Sequence, residues 1–147
     1  MILTLIALAS AAPATDAAPM VHRVSAEHRG APVDLVYKAD QRIRTKEVGS
    51  SPPTRPSTVR CLWSVDLDVT RHVERTGSEG LALRHSFSER DVLSGARPGR
   101  CLTNRNAIPR DVAKSQGKID AHVQTLAQRQ LPAVLAELDA TRALASN

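Results

Sequence analysis

An α+β domain is what the sequence predicts: an antiparallel sheet of about four strands, in two hairpins, with one or two C-terminal helices packed on one face. Three observations lead there. Between residues 20 and 88, apolar and polar residues alternate with period two, the signature of strands buried on one side only. From Pro109 onward the apolar spacing becomes helical. The strand segments all precede the helical ones, an order that belongs to α+β rather than βαβ architecture.

The chain opens with an apolar run, Met1–Leu8, followed by a tract of small residues, Ala9–Pro19. Within that tract Ala12-Pro13-Ala14 fits the pattern read by signal peptidase. A signal peptide is therefore expected over 1–14, with cleavage after Ala14 or as late as residue 19. A single α+β domain is expected over 15–147. The first charged side chain is Asp16, so the α-amino group alone supplies positive charge at the start. The apolar run is far below the ~20 residues that span a bilayer, and no Cys follows it to accept a lipid. An exported protein, periplasmic or secreted, with no transmembrane segment, is the expectation.

Met20–His28 reads as a short strand, and Arg29-Gly30-Ala31-Pro32 as the turn after it. Val33–Glu47 then alternates, with Val33, Leu35, Tyr37, Ala39, Ile43 and Thr45 on one face. The other face carries Asp34, Val36, Lys38, Asp40, Arg42, Arg44 and Lys46. Prolines at Pro52, Pro53 and Pro56 exclude a helix or a central strand and predict a stiff loop over Gly49–Ser57. Cys61–Val73 is the clearest strand. Cys61, Trp63, Val65, Leu67, Val69 and Val73 share one face, and Ser64, Asp66, Asp68, Thr70 and His72 the other. Gly77 and Gly80 supply a turn into Leu81–Ser88, where Leu83, His85 and Phe87 share a side with Leu81. Ser94–Gly99 reads as a second turn.

Strands thus occupy about 20–88 and helices about 109–144. Pro109 suits a first helical turn. Val112, Ile119, Val123 and Leu126 make one stripe, and Leu131, Val134, Leu135 and Leu138 a second. Pro132, between them, either starts a new helix or kinks a single long one.

Composition narrows the class. With 41% hydrophobic and 24% charged residues, the 147-residue chain is globular rather than disordered. Aromatics are 2%, namely Tyr37, Trp63 and Phe87, so the core rests on Val, Leu, Ile and Ala and is thin. The formal charge is +5, with acidic residues interspersed among the basic ones. That balance admits weak binding to polyanions. Side chains that would stack bases are scarce, which argues against specific nucleic-acid recognition. In an oxidising compartment, the two cysteines predict a Cys61–Cys101 disulfide. Its loop of about 40 residues is worth roughly 4 kcal/mol in chain entropy.

Four groups of residues could carry chemistry. Asp66 and Asp68 share one face about 7 Å apart, a spacing open to acid–base work or Ca²⁺. Cross-strand pairing with Lys38, Arg42 and Arg44 explains them better, without a site. His72 and His85 flank the second hairpin, but they fall on opposite faces, and His85 is expected to be partly buried beside Phe87. A zinc site needs both on one side with a third ligand. Arg97 and Arg100, held beside the disulfide, could recognise an anion or a partner. Ser115 and Lys118 match a bare S-x-x-K, without the companion elements of that enzyme class.

No residue is assigned a catalytic or metal-binding role, and no cofactor is expected. The leading expectation is an exported, disulfide-bearing, non-enzymatic domain that binds a protein partner or a cell-envelope component. The alternative is a small exported hydrolase or metal-dependent enzyme using Asp66, Asp68, His72 or His85. A weak polyanion binder comes third.

Overall fold

Alternating burial shapes the sheet. In the computed structural model, which describes residues 19–75 and 83–145, four strands form a single antiparallel meander. They are β1 (Met20–His28), β2 (Ala31–Val48), β3 (Arg60–Arg75) and β4 (Arg84–Pro98), in the order β1-β2-β3-β4. Three helices follow: α1 (Cys101–Asn104), α2 (Ala107–Lys114) and α3 (Gln116–Ala145). The segment assigned to the signal peptide and the Gly77/Gly80 turn lie outside the described residues.

One face of the sheet carries the core. Val33, Leu35, Tyr37 and Ala39 of β2 join Cys61, Trp63, Val65, Leu67, Val69 and Val73 of β3. Ile108 and Val112 of α2 cover them, with Ile119, Val123, Leu126, Ala127 and Val134 of α3. Full burial of each Val or Leu side chain stabilises the fold by about 1.5–3 kcal/mol. The fold class is therefore the one the alternation predicts. The opposite face is mostly polar; Val21 and Leu62 stand exposed on it, and Val36 is buried between its strand partners Arg23 and His72.

Two boundaries differ from expectation. β4 does not end near Ser88; it runs to Pro98, through the segment read as a turn. Gly95 belongs there because Trp63 lies across it. A Cβ on Gly95 would come within 2.4 Å of the Trp63 ring. Glycine signalled a close ring contact rather than a chain reversal.

The second boundary is at Ser115. Of the two alternatives at Pro132 a single long helix is found, α3 running through it, and a break not expected from the sequence falls at Ser115, between α2 and α3. There the Ser115 N–H donates to Val112 O and the Lys118 N–H to Ser115 O, both at 2.9 Å. Pro132 is exposed while Leu126, Ala127 and Val134 around it are buried. The carbonyl of Gln128, left without its helical donor, is on an exposed residue. Packing on both sides outweighs one lost backbone bond.

Strand lengths are mismatched. β2 has 18 residues and β1 only 9. β1 pairs with Ala31–Ala39 alone, while β3 pairs with β2 as far as Val48. Among the described residues, Asp40–Val48 thus has no neighbour on its outer side. The prolines act as expected in the loop after β2. Gly49 (φ +96°) starts it, and the Thr58 N–H donates to Ser50 O at 2.9 Å to close it.

Candidate functional site

The paired carboxylates sit on the polar face, where register decides their partners. Arg42 lies opposite Asp66, and Asp40 opposite Asp68. The ion pairs nevertheless run diagonally. Arg42 Nη2 donates to Asp68 at 2.6 Å, and Arg44 donates Nε and Nη2 to the two oxygens of Asp66. The Ser88 hydroxyl also donates to Asp68, at 2.7 Å.

Asp66 has a second task. Opposite it β4 bulges, so that Arg90, Asp91 and Val92 fit between the partners of Leu67 and Val65. Asp91 takes a left-handed φ of 52°, which aspartate tolerates better than most residues. Its N–H donates to Asp66 Oδ1 at 3.0 Å, and its carboxylate accepts from Arg44 Nη2 at 3.0 Å. The Arg44 hydrogen bond, reinforced by the Asp91 N–H, holds the Asp66 carboxyl below the usual carboxylate range. Asp66 therefore acts as the clamp of a bulge.

The histidines stay apart. His72 lies opposite Arg84 on the polar face, whereas His85 lies opposite Arg71 on the covered face. His85 is exposed rather than partly buried, with its ring centroid 5.8 Å from that of Phe87. Among the described residues, no group of three or more His, Cys, Asp or Glu side chains is placed to hold a metal ion.

Cys61 and Cys101 form the disulfide, with Cα atoms 4.8 Å apart. It joins the first turn of α1 to the start of β3. Beside it, Arg97 donates to both oxygens of Asp111 on α2, and this pairing lowers the Asp111 pKa. Arg97 thus fastens the sheet to α2. Arg100 is 74% exposed, with Nε 3.5 Å from Glu47. It stands on the rim of a hollow of about 460 Å³ whose other polar walls are Glu47, Ser50, Ser51 and Ser57. The two arginines do not converge on one ligand position: one is tied inward and the other points to solvent.

Several polar contacts fasten α3 to the sheet. Arg71, with a side chain only 5% exposed, donates to Glu137. His28 and Arg29 reach Asp139 at 2.9 and 2.7 Å. Burial pushes the Asp139 carboxyl up, but the hydrogen bond from His28 and the Arg29 guanidinium outweigh it and hold the pKa low. Burial also raises the Tyr37 phenol, and Arg71 opposes part of that shift. Sequence reasoning passed over Arg71. The signal was present, since an arginine in the inward phase of the best strand requires a carboxylate from the covering layer.

Also missed was the outer edge of β2 over Asp40–Val48, which has no neighbour among the described residues. It borders a shallow, mainly apolar hollow of about 430 Å³ walled by Ile43, Cys101, Leu102, Ile108 and Pro109, with Thr45 and Arg105 also in its lining. Ile43 and Leu102 are 37% and 71% exposed. No helix among the described residues is long and apolar enough to cross a membrane. No protein-family model matches the chain, and no curated protein or solved structure is significantly similar to it.

Proposed function

We propose that this small disulfide-bearing domain is an exported binding module, without catalytic machinery of its own, that docks on a protein partner or a component of the cell envelope. One observation carries this reading: the two carboxylates that could do chemistry, Asp66 and Asp68, are engaged in holding the fold. General acid–base work or Ca²⁺ ligation needs carboxylate lone pairs free to face a reactant or ion. Asp66 directs its oxygens to Arg44 and the Asp91 N–H, and Asp68 to Arg42 and Ser88. His72 and His85 point away from one another through the sheet. The disulfide fits an oxidising compartment.

The test is affinity capture from envelope extract with the oxidised protein as bait. A discrete partner retained above about 0.2 M salt is the expected result. Retention only on heparin, lost by about 0.2 M salt, would replace this reading with non-specific charge binding. Retention of nothing would remove it.

A further inference from the structure

The outer edge of β2 over Asp40–Val48 is, we infer, a docking site for an extended segment of another protein in which acidic residues alternate with apolar ones. The inference rests on the binding-module reading above and specifies its surface. Every second residue of a strand turns its N–H and C=O to one side, so an edge without a neighbour presents a ladder ready to pair. Among the described residues β1 stops pairing at Ala39, and β3 supports the strand from behind as far as Val48. The ladder is therefore rigid before a partner arrives, which lowers the ordering cost of binding.

Side chains flanking the ladder define the occupant. On the polar face stand Arg42, Arg44 and Lys46, all exposed. Lys46 has no carboxylate partner among the described residues, while Arg42 and Arg44 keep about half or more of their side chains exposed despite their ion pairs. On the covered face, Ile43 opens into the hollow formed with Leu102, Ile108 and Pro109. A strand added here would set one row of side chains beside Arg42, Arg44 and Lys46, with Asp40 at the start of that row, and the other beside Ile43 and the mainly apolar hollow, flanked by Gln41, Thr45, Glu47 and Arg105. Alternating acidic and apolar residues satisfy both, with main-chain bonds giving affinity and alternate side chains giving specificity.

The same charges count against a second copy. Antiparallel self-pairing centred on Arg44 would set Arg44 against Arg44 and Arg42 against Lys46, and like charges directly opposite destabilise a sheet.

The probe is a capped octapeptide of alternating Glu and Val, titrated into isotope-labelled protein and followed by amide chemical shifts. Shifts confined to Asp40–Val48 and the neighbourhood of Leu102 are expected, with no response to the matching Lys/Val peptide. Lys46→Glu should weaken the Glu/Val peptide about five-fold, the size of one reversed exposed charge. The same variant should improve binding of the Lys/Val peptide. Ile43→Lys should remove binding. Unchanged urea midpoints will show that both variants remain folded.

Absence of shifts at Asp40–Val48, or equal binding of the two peptides, overturns the inference. So does a wild-type dimer in sedimentation that dissociates on Ile43→Lys. An envelope partner captured equally well by wild type, Lys46→Glu and Ile43→Lys would move the docking site elsewhere and leave the binding-module reading intact. Peptide binding without any captured partner would do the reverse.

Discussion

Replacing Cys61 and Cys101 together by alanine tests how this thin-cored domain stays folded. The bond closes a loop of 40 residues. Chain entropy alone credits such a loop with about 4 kcal/mol at room temperature. At roughly 2 cal/mol/K of unfolding entropy per residue, a domain of this size melts with an entropy of about 0.25 kcal/mol/K. The double variant should therefore melt roughly 15 °C lower than the oxidised protein. Calorimetry on oxidised, reduced and double-alanine forms provides the comparison. The reduced wild type separates the constraint from the cavity, because Cys61 is fully buried and its sulfur also fills space. If the constraint acts on the unfolded chain, the oxidised form should also show the smaller urea m-value, since its unfolded state exposes less surface. A melting difference below about 3 °C between oxidised and reduced protein, under roughly 1 kcal/mol, would refute the loop-entropy argument.

Four further outcomes are expected. Gly95→Ala forces a methyl into the Trp63 ring, and overpacking of this kind should cost about 1–3 kcal/mol in urea unfolding. Pro132→Ala restores a backbone donor at an exposed helix position; it should raise the urea midpoint, by up to about 3 kcal/mol where the local backbone carries no strain. Glu137→Gln leaves the buried Arg71 guanidinium without its anion; because Glu137 is half exposed, the loss should be about 1–2 kcal/mol, smaller than for a fully buried pair. Asp66 and Asp111 ionise more readily folded than unfolded, so their stabilisation is present above the ordinary carboxylate range and is lost as pH falls below about 4. Urea midpoints measured from pH 7 to pH 2 should fall steeply at the acid end, and less steeply in Asp66→Asn.

Much of the fold was legible because one rule governs most of it. Period-two alternation located β1 to the residue and the cores of β2 and β3, since a strand buried on one face has no other way to write itself. The disulfide followed from two cysteines and an expected oxidising compartment. Legibility failed where a residue type has two physical uses. Gly95 read as a turn because glycine permits reversal, yet here it makes room for an indole. Pro132 left two readings open, a helix boundary or one long helix, because proline removes a donor; the buried residues around it decide for the single helix. For Asp66 and Asp68 the bland account, ion pairing across strands, is the arrangement found, although diagonal reach and the bulge at Asp91 could not be seen without register. The free edge depended on comparing two strand lengths across a turn rather than on any motif.

The ring closed by Cys61 and Cys101 contains β3 and β4, leaving β1 and β2 upstream and α2 and α3 downstream. A chain that emerges N-terminus first presents both sulfurs while the whole of α2 and α3 has yet to appear. Oxidation can then lock the hairpin before its covering helices arrive, and the late-emerging segment condenses onto a template already cross-linked. The order of covalent and non-covalent steps is thereby written into where the two thiols stand along the polypeptide.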